Sequence, residues 1–294
     1  MVSGTGSRKY KPLKMIIFKK SADLNEYLEN SRKKGLQTGF VPTMGALHDG
    51  HISLIKAARE VAGLTICSIF VNPRQFNDPK DFEKYPVTIE KDIRLLEQQG
   101  ADILFLPAVE EIYPKDDIPE KYELGSLETI LEGQYRPGHF QGVCQVMNRL
   151  LNRVRPDHLF MGQKDFQQCL VVKQLISGMK FPLKFHIVPT IREPQGLAMS
   201  SRNSRLSVDQ RKNATAIYEA LSYIRDHLAP GDLTVLLQKA HDKLDAARFK
   251  TDYIATARVK DLQPVRNWDG KEKIIALIAA FQGEVRLIDN MLLN

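Results

Sequence analysis

The chain has 294 residues, 43% of them hydrophobic and 26% charged, which is typical of a globular protein able to bury one or two cores. Its formal net charge of +7 suits anionic substrates and nucleic acids alike, so charge does not decide between these partners. There is no apolar run of about 20 residues, no signal-peptide pattern and no metal-ligand spacing among the three cysteines, which predicts a cytoplasmic protein without disulfides, structural zinc or a membrane anchor.

The first 189 residues alternate predicted strands with predicted helices. Residues 1–14 are polar and basic and are predicted to be a disordered leader. The predicted strands cover residues 15–18, 40–41, 64–71, 102–106, 157–161 and 183–188. Strands separated by helices predict an α/β fold, here a Rossmann-like doubly wound parallel sheet over residues 15–189.

The pattern changes after Pro189. Ser207 and Gln210 form a capping box that starts one long predicted helix, which Pro230 ends before a second helix begins. Predicted strands follow at residues 253–259, 273–281 and 284–288, the last two joined as a tight hairpin. We therefore expect a second, smaller α+β domain over residues 190–294 that acts as a lid.

The stretch 39–51 combines a strand, a glycine-containing turn and the start of a helix. Pro42 is predicted to end the strand, and His48 and His51 stand at the start of the helix. A helix N-terminus offers free N–H groups and the positive end of a dipole, which suits phosphate. Two imidazoles three residues apart project to the same side and can hold a polyphosphate while one phosphorus is attacked.

Other polar groups follow later strands and are expected at the same cleft, because ligands of open α/β sheets bind beyond the carboxyl ends of the strands. Gln75 can donate and accept hydrogen bonds at once, which suits a substrate with both a hydroxyl and a carboxylate. Lys164 supplies a mobile positive charge for a phosphate, and Gln168 is about one helical turn further on. Residues 199–203 contain two serines and an arginine, a flexible clamp able to follow β- and γ-phosphates.

These motifs together resemble a known family. His-x-Gly-His at 48–51 resembles the nucleotide-binding signature of the nucleotidylyltransferase superfamily. Four longer strings are similar to the pantothenate synthetase (pantoate–β-alanine ligase) family: Pro-Thr-Met-Gly-Ala-Leu-His-Asp-Gly-His at 42–51, Phe-Val-Asn-Pro-x-Gln-Phe at 70–76, Gly-x-Lys-Asp-x-Gln-Gln at 162–168 and Met-Ser-Ser-Arg at 199–202. The resemblance covers residues 15–290.

The resemblance implies an activity and its partners. A member of this family is expected to condense pantoate with β-alanine, using ATP and Mg²⁺, in pantothenate and coenzyme A biosynthesis. The reaction is expected to pass through a pantoyl adenylate and to release AMP and pyrophosphate. The family also implies a homodimer with small-molecule substrates and no nucleic-acid or membrane partner.

The resemblance also implies residue roles. His51 is the expected proton donor that assists pyrophosphate departure, and His48 is expected to bind phosphate. Gln75 and Gln168 are expected to hold pantoate and β-alanine. The expected ATP-binding residues are Met44, Gly45, Ala46, Leu47, His48, Asp49, Gly50, His51, Gly162, Gln163, Lys164, Asp165, Ile191, Met199, Ser200, Ser201 and Arg202.

Three further residues have less defined expectations. No carboxylate cluster predicts a protein metal site, so magnesium is expected to arrive with the nucleotide, with Asp92 a candidate outer-shell partner. Arg136 and His139 are expected to form part of a lid over phosphates or else to lie on the surface.

Two other functional classes stay open on the sequence alone. One is a nucleotidylyltransferase or tRNA-directed enzyme of the same superfamily, whose positive charge would serve a nucleic acid. The other is a non-catalytic nucleotide-binding module, which would bind ATP without releasing pyrophosphate. The first would not need Gln75 and Gln168 together, and the second would need fewer polar groups at strand ends.

Overall fold

The computed structural model describes residues 14–179 and 182–294. Apart from Lys14, the predicted leader lies outside the described residues. The strands are β1 Ile16–Phe18, β2 Thr38–Thr43, β3 Leu64–Ile69, β4 Ile103–Phe105, β5 His158–Gly162, β6 Lys184–Val188, β7 Gly231–Asp232, β8 Lys250–Arg258, β9 Asn267–Trp268, β10 Ile274–Gln282 and β11 Val285–Leu292. The helices are α1 Ser21–Lys33, α2 Asp49–Val61, α3 Pro79–Glu83, α4 Ile89–Gln99, α5 Val109–Ile112, α6 Glu132–Tyr135, α7 His139–Val154, α8 Phe166–Ser177, α9 Val208–Asn213, α10 Ala216–Asp226 and α11 Thr234–Ala246. Within these ranges no helix is long and apolar enough to cross a membrane.

The first six strands form one parallel sheet in the order β1-β4-β3-β2-β5-β6. All six residues of β3 are buried, as expected of a parallel strand covered on both faces. From β2 the chain adds strands in one direction through β3 and β4, and then crosses back to add β5 and β6 on the other side. The predicted doubly wound parallel sheet is confirmed, and its winding direction reverses between β2 and β5.

A smaller antiparallel sheet, β11-β10-β8, follows towards the C-terminus, and the expected second α+β part is confirmed. Strand β10 is buried on both faces because its residues alternate between two cores. Ile275 and Leu277 pack into the core beside the parallel sheet, whereas Ala276 and Ile278 pack with helices α10 and α11. The division into domains at residues 189 and 190 stays a prediction.

The prediction that Pro42 ends its strand is wrong. Strand β2 continues to Thr43, and Pro42 lies opposite Ser68 in register with β3. The Thr43 carbonyl accepts a hydrogen bond from Phe70 N at 3.0 Å, and neighbouring residues of a strand direct their polar groups to opposite sides. Pro42 therefore faces β5, whose pairing with β2 has already ended at Phe40, so the missing N–H breaks no ladder bond.

The prediction of one long helix after Ser207 is also wrong, although its capping box is confirmed. Ser207 Oγ accepts from Gln210 N at 3.2 Å, and Gln210 Oε1 accepts from Ser207 N at 2.9 Å. The helix is divided at residues 214–215 into α9, which has no buried residue, and α10, which buries Ile217 and Leu221. Packing of α10 into the second core fixes its position, which local helix propensity does not determine.

A buried ion pair joins α6 to the C-terminal sheet. Arg286 of β11 donates both terminal nitrogens to the Glu132 carboxylate at 2.8 Å each, and the Tyr253 hydroxyl donates to the same carboxylate at 2.9 Å. Burial alone would raise the pKa of Glu132, but the hydrogen bonds and charge of Arg286, with the charge of Arg136, outweigh it and lower that pKa to about 2.

We expect this pair to make stability depend on acid pH. Because the pKa of Glu132 is lower in the fold than its ordinary 4.5, its contribution is complete above pH 4.5 and disappears as pH falls towards 2. Between pH 5 and pH 3.5 wild type should lose about 1 kcal/mol more unfolding free energy than Glu132→Gln, measured by urea denaturation. The exposed-site control Glu97→Gln should behave like wild type, and equal losses in wild type and Glu132→Gln would contradict the assignment.

Candidate active site

The turn between β2 and α2 holds two imidazoles in one defined arrangement. His48 caps α2, and its Nδ1 accepts from Gly50 N at 3.2 Å, while His51 Nδ1 accepts from His48 N at 3.3 Å. A ring nitrogen that accepts a hydrogen bond carries no proton, so each neutral ring carries its proton on Nε2. The two ring centres are 4.1 Å apart. The turn therefore holds two neighbouring Nε2–H donors.

Both imidazoles are neutral at physiological pH. Burial, followed by the charge of Lys164, lowers the pKa of His48 to about 4. Burial, followed by the charges of His48 and Lys164, lowers the pKa of His51 well below its ordinary value. The pair can therefore donate hydrogen bonds to a ligand, and the positive charge at this turn has to come from other residues.

Small residues and a buried carboxylate shape the same turn. A Cβ at Gly50 would lie 2.9 Å from the His48 ring, so only glycine fits beneath that imidazole. Asp92 of α4 is fully buried, and its carboxylate accepts from Ala46 N and Leu47 N at 2.9 Å each. The expectation of Asp92 as an outer-shell magnesium partner is therefore wrong, because the backbone of this turn occupies its oxygens.

The turn between β5 and α8 is held from the far end of the chain. Asn290 of β11 donates its side-chain amide to the carbonyl oxygens of Gln163 and Lys164 at 2.9 Å each. Gln163 in turn donates to Asn290 Oδ1 at 3.2 Å. The Lys164 ammonium is 3.7 Å from the Asp165 carboxylate, and its side chain is 18% exposed. The backbone of Lys164 is thus fixed, whereas its ammonium group forms only a long ion pair.

The loop after β3 carries Gln75 in a fixed orientation. Asn72 donates its amide to Gln75 Oε1 at 3.0 Å, which directs the Gln75 NH₂ group towards Met44 Sδ, also at 3.0 Å. Asn72 is 1% exposed and accepts from the Tyr113 hydroxyl at 2.8 Å. Sequence reasoning missed Asn72, although its place in the quoted 70–76 motif was an available signal.

His139 is 5% exposed, so it is not a surface residue, and it lines the 220 Å³ cavity described below; its place in a lid over phosphates stays a prediction. Its Nδ1 donates to the Gln75 carbonyl oxygen at 2.7 Å, and burial, followed by the charge of Arg136, lowers its pKa to about 3. This neutral ring fixes the backbone that carries Gln75. Arg136 is 3.6 Å from the Glu132 carboxylate and lines the cavities described below.

The segment 199–202, expected to be a flexible clamp, is docked against the first turn. Ser201 Oγ donates to the Ala46 carbonyl oxygen at 3.0 Å, and Met199 N donates to the Ile191 carbonyl oxygen at 3.0 Å. Ser200 Oγ accepts from Arg202 N at 3.3 Å. The Arg202 guanidinium forms an ion pair with a carboxylate of α3 at 2.7 Å.

These turns enclose a cavity of about 220 Å³. Fourteen of the predicted site residues line it: Met44, His48, Gly50, His51, Gln75, Gly162, Lys164, Asp165, Gln168, Ile191, Met199, Ser200, Ser201 and Arg202. The other predicted residues, Gly45, Ala46, Leu47, Asp49 and Gln163, do not line it. A larger adjoining cavity of about 430 Å³ shares Arg136, Lys164, Asp165, Ser200 and Arg202 with it.

Comparisons with known proteins point to one family. A family model described as pantoate-beta-alanine ligase matches residues 16–292. Pantothenate synthetase of Bacteroides thetaiotaomicron is 42% identical over an alignment that covers 92% of this chain and 95% of the relative. Pantothenate synthetase of Leptospira biflexa is also 42% identical, over 95% of this chain and 99% of the relative. The crystal structure of the Thermus thermophilus enzyme matches at a TM-score of 0.87 with 38% identity, covering 94% and 99% of the two chains. The crystal structure of the Francisella tularensis pantoate-beta-alanine ligase, complexed with "Beta-gamma ATP" and β-alanine, matches at a TM-score of 0.81 with 38% identity. This match covers 95% of this chain and 97% of the other.

We predict that neither His48 nor His51 titrates between pH 5.5 and 8, because burial keeps both rings neutral. In nitrogen-15 NMR spectra of the histidine-labelled protein, His48 and His51 should each show the signals of a neutral ring protonated on Nε2 across this pH range. The variants His48→Gln and His51→Gln assign the signals by removing one each. A midpoint near 6.5 for either ring would contradict the neutral pair.

Proposed function

This chain belongs to the pantoate–β-alanine ligase family, and we propose that it condenses pantoate with β-alanine through a pantoyl adenylate at the 220 Å³ cavity. The reaction consumes ATP and yields pantothenate, AMP and pyrophosphate. The observation that carries the proposal is that two amides suited to pantoate line the same space as groups suited to ATP. The amides belong to Gln75 and Gln168, and the ATP-binding groups to His48, His51 and Lys164.

Pantoate binding is assigned to the two glutamines. Asn72 occupies Gln75 Oε1, so the NH₂ group of Gln75, which has a second N–H besides the one directed at Met44 Sδ, is the part that can donate to a pantoate hydroxyl or carboxylate. Gln168, in the first turn of α8, lines the same cavity. Neither amide carries charge, so neither forms an ion pair with the pantoate carboxylate, which can act as a nucleophile.

ATP binding is assigned to the N-terminal turn of α2 and the groups around it. The positive end of the α2 dipole and the neutral Nε2–H donors of its two histidines suit phosphate oxygens. Lys164 and Arg202 supply the positive charge that the neutral histidines do not. Ser200 and Ser201 add hydroxyl groups beside them.

In the first half-reaction a pantoate carboxylate oxygen attacks the α-phosphorus, and the bond from that phosphorus to the bridging oxygen breaks as pyrophosphate leaves. In the second, the neutral β-alanine amine attacks the acyl carbon and the nitrogen releases a proton. The acyl C–O bond breaks, and AMP leaves with the carboxylate oxygen that attacked phosphorus in the first half-reaction. Alignment and charge stabilisation suffice for both steps without a covalent enzyme intermediate. His51 acts in this scheme as a hydrogen-bond donor through Nε2–H, rather than as an imidazolium acid.

Magnesium, which the family implies, is not matched by a protein carboxylate site. In the described part of the chain no group of three or more His, Cys, Asp or Glu side chains is placed to hold a metal ion. We propose that the ion arrives on the nucleotide phosphates and keeps several waters. A homodimer, a cytoplasmic location and the absence of a nucleic-acid partner remain proposals drawn from the family.

The direct test is pyrophosphate release from ATP and Mg²⁺ with pantoate, first without and then with β-alanine. We expect pantoate-dependent pyrophosphate in the first mixture, and AMP with pantothenate only in the second. His51→Ala should lower this release about 100-fold or more, because it removes a donor at the reacting phosphate. His241→Ala, an exposed histidine of α11, is the matched control and should react like wild type.

Two outcomes would contradict the proposal. Pyrophosphate release that is independent of pantoate would indicate another AMP acceptor, such as a phosphate or an RNA. A near-wild-type rate in a folded His51→Ala protein, judged by circular dichroism, would remove the role of His51.

A further inference from the structure

One carboxylate beside the site is shared by two arginines. Asp81 of α3 accepts from Arg202 Nη2 at 2.7 Å and from Arg202 Nε at 3.4 Å. The same carboxylate accepts from Arg205 Nη1 at 2.8 Å. Two guanidinium groups on one carboxylate leave the cluster with one net positive charge, so Asp81 does not cancel its attraction for a polyanion.

The position of Asp81 determines what it can do. Arg202 lines both the 220 Å³ and the 430 Å³ cavity, whereas Asp81 and Arg205 line only the larger one. Asp81 therefore contacts Arg202 from the side away from the two histidines. It engages the Nε and Nη2 edge of the guanidinium, and among the described residues no hydrogen bond engages the Nη1 end, which can contact a ligand.

The same loop is held at its backbone by the bond from Ser201 to Ala46, and the Arg202 guanidinium lies 5.7 Å from the centre of the Tyr85 ring. Asp81 is thus the contact that fixes the end of a long side chain whose backbone is already docked. A free arginine side chain loses rotamer entropy when it is ordered, and an arginine ordered in advance does not incur this loss on binding.

We propose that Asp81 is a positioning residue that holds Arg202 ready for the phosphates of ATP, and that Arg205 holds Asp81 in place. This inference rests on the proposed function, because it takes Arg202 to be a phosphate-binding residue. It adds two residues, Asp81 and Arg205, that the sequence motifs did not single out.

The first test is the variant Asp81→Asn, which keeps the shape of the side chain and removes its charge. The dissociation constant of MgATP, measured by titration calorimetry on the full chain, should rise about tenfold. The KM of pantoate should stay within about twofold, because the two glutamines do not contact this cluster. A merely structural defect would instead raise both constants and lower the melting temperature.

The second test is a double-mutant cycle. Arg205→Leu should raise the MgATP dissociation constant about threefold, and Arg205→Lys should restore it, because either cation can hold Asp81. In the Asp81→Asn background Arg205→Leu should have no further effect, since the carboxylate it holds is gone. Arg225→Leu, whose partner Asp226 lies on α10, is the control and should leave the constant unchanged.

Three results would overturn the inference. The first is an unchanged MgATP dissociation constant in Asp81→Asn. The second is a lower constant in Asp81→Asn, which would mean that the carboxylate competes with phosphate. The third is a full effect of Arg205→Leu in the Asp81→Asn background. Calorimetry reports ATP binding without turnover. Failure of this inference is therefore distinguishable from failure of the proposed function, which pantoate-dependent pyrophosphate release in wild type tests separately.

Discussion

The position of β2 between β3 and β5 is the constraint on which the site depends. In a parallel sheet all strands end at one edge, and here the winding direction reverses beside β2. The turns that follow these three strands are therefore brought together whatever their sequence. One carries the two histidines, the next carries Gln75, and the third carries Lys164. The polar side chains that these turns contain then determine which reaction the site can support.

The site combines neutral hydrogen-bond donors with cations that the fold holds in place. Burial keeps the imidazoles of His48 and His51 uncharged, and their Nδ1 atoms are occupied by backbone N–H groups. Charge is supplied by Lys164 and Arg202, each held by contacts to distant parts of the chain. In the proposed reaction, a site arranged in advance needs little reorganisation as charge moves from the attacked phosphorus to pyrophosphate.

Much of the fold was predictable because it follows local rules. Alternating apolar strands and helices identified the parallel sheet, and a strand, a glycine and a capping histidine identified the central turn. The supporting contacts were not predictable in this way. Asn290 holds the Lys164 turn from 126 residues away, and Asp92 holds the turn before His48 from α4. Such contacts depend on docking of elements distant in sequence, which is also why α9 and α10 separate where one helix was expected.

In the proposed reaction the pantoate carboxylate attacks the α-phosphorus directly. Pantoate labelled with oxygen-18 in both carboxylate oxygens tests this attack when the products are analysed by mass spectrometry. We expect each AMP to carry one labelled oxygen and the amide of pantothenate to retain the other. Label in inorganic phosphate or pyrophosphate, or unlabelled AMP formed together with pantothenate, would contradict a pantoyl adenylate.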